Sequence, residues 1–274
     1  MAESLTRPAG GRSAYVAVLR SRLRAQTEYR ASFVVDLFAQ VLLGLIDLAE
    51  IYVVFGRVTS LGGFSFGEVA LMYGLAGTAF SMADLAVGHI DALPRYVRTG
   101  ILDSMLLRPL STLGQLVSSD LSLRRLGRAL TTTTTLAVAL SVVDVDWTPA
   151  RVALLVLTPV SGLIIFSSIF VGTSAVTFWL VESAEFTAAF TYGGNYLSTW
   201  PTSIFATAVR RLFTFVVPAA FVAYLPTLAI LGRPDPAGLP SWLSWCALPV
   251  SLLAAGAAAL LWRAGLRRYV GAGS

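Results

Sequence analysis

Several stretches of this chain hold close to twenty or more mostly apolar residues in a row, and nothing else limits its fold so tightly. About 20 such residues on a helix cross the ~30 Å hydrocarbon core of a bilayer. Inside that core every backbone N–H and C=O must be bonded within the protein, a condition that helices satisfy segment by segment. Hydrophobic residues make up 56% of the chain and charged ones 13%, at a mean hydropathy of +0.74, well above what a soluble domain carries. The expected fold class is therefore an all-α polytopic membrane protein. The 274 residues allow about six transmembrane helices in a single domain, 1–274, without a separate soluble unit.

The spans read as 31–55, 67–90, a third ending near 143, 152–181 and a last one over 242–262. The third is short if counted only over 129–143. A helix starting near Leu110 would be more than 30 residues long, with Arg124, Arg125 and Arg128 snorkelling to the headgroups. The threonine run 131–135 does not break it, because these hydroxyls can bond back to helix carbonyls. Trp147, Trp242, Trp245 and Trp262 fall near span ends and are expected as interfacial anchors.

Arginine placement predicts orientation. Six arginines precede the first span, six lie between the second and third, and three follow the last, whereas Arg57, Arg151 and Arg233 stand alone in the alternate loops. Positive charge collects on the cytoplasmic side, so both termini and the segment 91–128 are expected there, in a multi-pass protein of the cytoplasmic membrane. Residues 1–30 have arginines but no apolar core followed by a small-residue cleavage site, unlike a cleaved signal peptide. Over 13–30 they suggest a helix lying in the interface or packed on its own bundle.

The census of reactive side chains excludes much chemistry. All 20 cationic residues are arginine, so the chain has no lysine for a Walker A loop or a Schiff base. One cysteine, Cys246, forbids an internal disulfide, and one histidine, His89, forbids paired-histidine metal sites. An enzyme is not expected, and neither is a nucleic-acid partner.

Two features point to function. The segment GILDSMLLRPLS, 100–111, is too short to span and too apolar for an ordinary loop. On a short helix Ile101, Met105 and Leu102 form an apolar ridge rimmed by Arg98, Asp103 and Arg108, with Gly100 and Pro109 delimiting it. Such a helix docks in a partner's groove or lies on the bilayer. The second feature is polar residues inside spans, which are costly and mark pairing or function. Asp36, Gln40, Asp47 and Glu50 fall within about 80° of one another on the first helix, and Glu185, Tyr192, Tyr196 and Thr199 within about 60° on a helix over 185–199. Asp84 and Asp91 align near the end of the second span. Internal pairing and a translocation path for cationic or amphiphilic cargo both fit these stripes.

Residues 182–232 allow two topologies. Either 212–231 spans and Arg210 and Arg211 are cytoplasmic, or 185–199 spans and 201–231 dips into the membrane and returns. Pro201, Pro218 and Pro226 favour the second, because broken helices persist where they are packed in protein.

PRYVRTGILDSMLLRPLS resembles the loop between the second and third helices of ABC-2-type exporter permeases, in a branch carrying a Gly-Ile-Leu-Asp…Leu-Leu-Arg-Pro pattern. YLSTWPTSIFATAVRRLFTFVVPAAFVAYLPTLAILGR is similar to that branch's Pro–x–x–Ile–Phe turn and proline-punctuated segment, and WRAGLRRYVGAGS to its ending, although a serine or threonine is expected where Val270 or Gly271 stands. The resemblance implies a permease half that pairs with a second, identical or paralogous, subunit in the lipid bilayer and sits on an ABC ATPase dimer. It implies that Arg98, Gly100, Ile101, Leu102, Asp103, Met105, Leu106, Arg108 and Pro109 form the ATPase-coupling helix. It further implies a re-entrant segment turning at Pro201, Phe205, Pro218 and Pro226, before the last span. The path would then involve Asp36, Gln40, Asp47, Glu50, Asp84, Glu185, Tyr192 and Tyr196. No cofactor is expected on this chain, with ATP and Mg held by the ATPase. The competing readings are an ion- or proton-coupled secondary transporter, which the lack of a clear internal repeat disfavours, and a membrane enzyme.

Overall fold

The computed structural model describes residues 30–119, 125–180 and 183–269. The expected helix over 13–30, apart from Arg30, and the chain's last five residues lie outside them. The described residues are helical apart from turns and one isolated bridge between Leu61 and Phe64. In chain order the α-helices are α1 (Arg30–Phe55), α2 (Phe66–Val87), α3 (Leu93–Arg98), α4 (Ile101–Leu106), α5 (Thr112–Ser119) and α6 (Leu126–Val142). They continue with α7 (Pro149–Ala175), α8 (Ala184–Ser198), α9 (Thr207–Arg211), α10 (Tyr224–Leu231) and α11 (Ala247–Arg268). Four helical stretches, Val34–Phe55, Phe66–Arg98, Pro149–Phe178 and Ala247–Arg268, are long and apolar enough to cross a membrane. A pair bent by 73°, Thr207–Val216 with Ala219–Leu231, adds a fifth if taken as one span. The protein is an all-α, multi-pass membrane protein.

α2 is the centre of the bundle, packed on α6 and α7, while α1 lies on α6 and α11 on α7. Small residues make this possible. Gly74 lets Leu136 of α6 approach so closely that a Cβ there would stand 2.6 Å from the Leu136 Cα, and Gly162 of α7 admits Ala79 in the same way. Without a hydrophobic drive between helices in lipid, such close backbone contact is the main source of association. Ser65 starts α2 with a reciprocal capping box to Glu68. In α6, Thr131, Thr132 and Thr135 donate to the carbonyls of Gly127, Arg128 and Thr131, so the threonine run stays helical.

Two expectations need correction. Near the expected start of the third helix, α5 begins at Thr112, where the Ser111 hydroxyl accepts the Gly114 N–H, and α6 begins at Leu126; residues 120–124, on which the expected continuity of the two depends, lie outside the described residues. Arg125 and Arg128 do not snorkel outward: they turn into the bundle to Asp84 and Asp47, where pairing offsets the cost of a carboxylate within a span, while Arg124 lies outside the described residues. Trp262 is only 6% exposed and packs on Phe178, so it is a core residue rather than an interfacial anchor, unlike the exposed Trp147, Trp242 and Trp245.

Ser203 and Arg233, near the two ends of the segment 201–231, are both anchored beside the α1–α2 turn. After α8 ends at Ser198, ahead of Pro201, the Ser203 hydroxyl donates to the carbonyl of Gly62 in the α1–α2 turn, at 3.3 Å. The chain descends through α9 and a π-helical turn, Leu212–Val216, and bends at Pro218. Val222 packs against Gly162, about halfway along α7. The chain climbs again as α10, which carries Pro226 in its first turn, where no helix bond is lost, and ends on Gly232 at φ +68°. Arg233 then pairs with Glu68 at 2.9 Å, back beside the same turn. The opposite end of the bundle carries α3, α4 and α5.

Candidate functional site: an acidic, tyrosine-lined recess and a helix at the bundle end

A recess of about 180 Å³ opens between α1 and α8, floored by α2 and α6. α1 contributes Asp47 and Glu50, α8 contributes Tyr192, Asn195, Tyr196 and Thr199, α2 contributes Tyr73, and α6 contributes Arg128 and Thr132. The period of 3.6 residues puts Asp47 with Glu50, and Tyr192 with Tyr196, on single helix faces, and the fold turns those faces toward each other.

The polar groups are tied together. The Asp47 carboxylate accepts from the Tyr73 hydroxyl at 3.4 Å and faces the Arg128 guanidinium at 3.5 Å. Arg128 also stands 5.3 Å over the ring of Phe80, a cation–π contact. The Tyr196 hydroxyl donates to Glu50 at 2.6 Å and so ties α8 to α1. Tyr192 donates to Asp91 at 3.3 Å, linking the recess to the turn just ahead of α3. With two carboxylates and one guanidinium, the lining is net negative and ringed by aromatic faces, an environment that attracts cations. Asn195 is buried and its amide oxygen has no hydrogen-bond partner among the described residues.

Of the stripe residues expected on a path, Asp47, Glu50, Tyr192 and Tyr196 come together here. Asp36 and Glu185 are exposed elsewhere on their helices, and Gln40 packs on Gly127 at the start of α6. Asp84 is ion-paired to Arg125 at 3.1 Å with both side chains largely buried, which answers its cost by internal pairing. Sequence reasoning missed Tyr73, Asn195 and Trp200, which stood outside the two stripes it singled out, and it aimed Arg128 the wrong way.

At the other end α4 is launched by Gly100 in the left-handed region, φ +70°, where glycine is favoured. The apolar ridge expected from Ile101, Met105 and Leu102 is divided. Leu102 is fully buried and Met105 is 8% exposed, both packed into the protein, and the Met105 carbonyl accepts from Gln115 at 2.9 Å. The apolar surface left open is Ile101, Leu106 and Leu107, the last 88% exposed, with Arg98, Arg108 and Pro109 exposed around it. Asp103 accepts from the Tyr269 hydroxyl at 2.9 Å, which ties α4 to the end of α11. His89 sits nearby within 2.9 Å of the Tyr96 hydroxyl.

A family model described as ABC-2 family transporter protein matches residues 41–273, from the first stripe through the last helix. The chain belongs to the ABC-2 transporter family. No curated protein matches the sequence, and no solved structure matches it either. As an ABC-2 permease the protein is a membrane transport subunit, of a family that typically works with an ATPase partner. The permease's recess lies on α1 and α8, and α1 is its least covered spanning helix, only 11% buried over its apolar window.

Proposed function

We propose that the protein is the membrane subunit of an ATP-driven exporter that moves a cationic or amphiphilic small molecule, or a lipid-like cargo, outward between two permease subunits. The observation that carries this reading is the net-negative, tyrosine-lined recess, open on the face where α1 is bare. A recess of about 180 Å³ is small beside the roughly 300–1,000 Å³ of small-molecule sites. Facing a second copy or a paralogue, it would form half of a larger cavity. Arginine bias supports cytoplasmic termini in the cytoplasmic membrane. On that placement α4 presents Ile101, Leu106 and Leu107 to a soluble ATPase dimer that holds ATP and Mg, since this chain has no lysine for a phosphate loop. The segment 201–231 then re-enters from the non-cytoplasmic side, as its shared anchorage at Gly62 and Glu68 favours.

The test is cargo flux in proteoliposomes holding permease and ATPase. Asp47→Asn removes one of two carboxylates while keeping its size. Export of a lipophilic cation should fall about tenfold or more, with assembly and basal ATP hydrolysis unchanged. If the variant fails to assemble, Asp47 serves only to pair Arg128, and the path reading is lost.

A further inference from the structure

On the side of the bundle away from the recess, an apolar groove of about 640 Å³ runs between α7, α8, the π-helical turn 212–216 and α11. Its walls include Phe186 and Phe190 of α8, Phe215 of the turn, and Leu253 and Leu261 of α11. Phe186 and Phe190 are on the opposite face of α8 from Tyr192 and Tyr196, so the groove is separate from the recess. Its size is that of a ligand site, and its walls are mainly apolar. The hydroxyls of Ser168 and Thr173 bond back to the carbonyls of Ile164 and Ile169 on α7, and Thr214 is 1% exposed. π-Helical turns are rare and cluster at functional sites.

One turn before the groove, Arg210 and Arg211 precede Thr214 and Phe215 by four residues each, on the same helical faces. Helical side chains lean toward their N-terminus, here toward the bundle end where Ser203 meets Gly62. Neither arginine forms an ion pair among the described residues. Two adjacent, uncompensated cations over an apolar slot complement a molecule with an anionic head and a long hydrocarbon tail.

We infer that this groove is a binding site for an anionic phospholipid of the surrounding bilayer, with its phosphate on Arg210 and Arg211 and one acyl chain between the turn, α8 and α11. The leaflet from which the lipid is drawn rests on the membrane placement proposed above. The site also gives a use to a pair of arginines at the bundle end where positive charge is otherwise sparse.

The experiment exchanges lipid on the purified permease–ATPase complex against vesicles of equal parts phosphatidylglycerol and phosphatidylcholine with identical chains. Retained lipid is counted by native mass spectrometry. The unaltered complex should favour phosphatidylglycerol by about thirtyfold, on the order of fivefold for each arginine beside an anionic headgroup. Arg210→Gln with Arg211→Gln should abolish the preference, Arg210→Lys with Arg211→Lys should keep it, and Ala254→Phe, which narrows the slot, should lower retention of both lipids. Equal retention by the unaltered complex, a preference that survives the double glutamine variant, or unchanged retention in Ala254→Phe overturns the site. Membrane placement is read separately, by labelling Thr207→Cys in a Cys246→Ser background with an impermeant thiol reagent. Labelling only after permeabilisation, with the lipid preference intact, keeps the site and moves it to the cytoplasmic leaflet.

Discussion

Arg128 shows how one side chain organises its surroundings. It meets Asp47 of α1 and the ring of Phe80 of α2 from its place near the start of α6, so it joins three helices at one charged point. A pair of this kind contributes little net stability where it is partly open, but removing one partner leaves the other stranded. Glycines do the complementary work without charge. Gly74→Leu puts a branched side chain into the Leu136 backbone, which cannot move aside without separating α2 from α6. We expect a loss of about 1–3 kcal/mol or more. By contrast, a Cβ at Gly256 of α11 meets nothing within 4 Å, and Gly256→Ala should be neutral or stabilising by about 0.5–1 kcal/mol. Thermal unfolding of the two variants in detergent checks the pair, and similar shifts for both would disprove the packing role of Gly74.

At the scale of elements, α4 has two faces with different tasks. Leu102 and Met105 anchor it to the bundle, and the bond from Tyr269 to Asp103 fixes its angle to α11. Ile101, Leu106 and Leu107 face outward. Substitutions on the two faces should therefore fail differently. Leu107→Arg, at an exposed position, should leave the permease folded yet strip the ATPase in co-purification, because an unpaired charge in an apolar groove costs about 3–5 kcal/mol. Met105→Arg should instead reduce the yield of folded permease. ATPase retention by Leu107→Arg at the level of the unaltered protein would rule out docking through this surface. The recess is also linked toward this end by hydrogen bonds: Tyr192 and Tyr196, one turn apart on α8, donate to Asp91 in the 88–92 turn and to Glu50 in the recess.

For the whole molecule the decisive relation is which segments share an end. The α1–α2 turn, Ser203, Arg233 and Glu68 meet at one end, and α3, α4 and the close of α11 meet at the other. In a membrane these ends lie on opposite sides, about 30 Å apart. With Cys246→Ser as background, Thr207→Cys should react in intact cells with a charged, impermeant thiol reagent. Ser104→Cys, exposed on α4, should react only after the membrane is opened. The reverse pattern would invert the orientation, and reaction of both without permeabilisation would refute the two-sided arrangement.

Membrane residence and all-helical class could be read from the chain alone, because hydrocarbon imposes its demands on each segment by itself: about 20 apolar residues and no charge without a reason. The stripe of Asp47 and Glu50 and the face of Tyr192 and Tyr196 followed from helical period for the same local reason. The likeness to ABC-2 permeases rested instead on particular motifs, the Gly-Ile-Leu-Asp…Leu-Leu-Arg-Pro loop first among them. What needed the tertiary structure was every matter of partners. Asp84 and Asp47 present the same cost in sequence, yet Arg125 encloses one away from the recess while the other lines it beside Arg128. Leu102 and Ile101 are equally apolar neighbours, and only the packing of α4 on the bundle buries one and exposes the other. Three prolines mark breaks over 201–231 without saying where the chain goes next. The contacts to Gly62 and Glu68, from residues more than 140 positions away, return it to the end where it began.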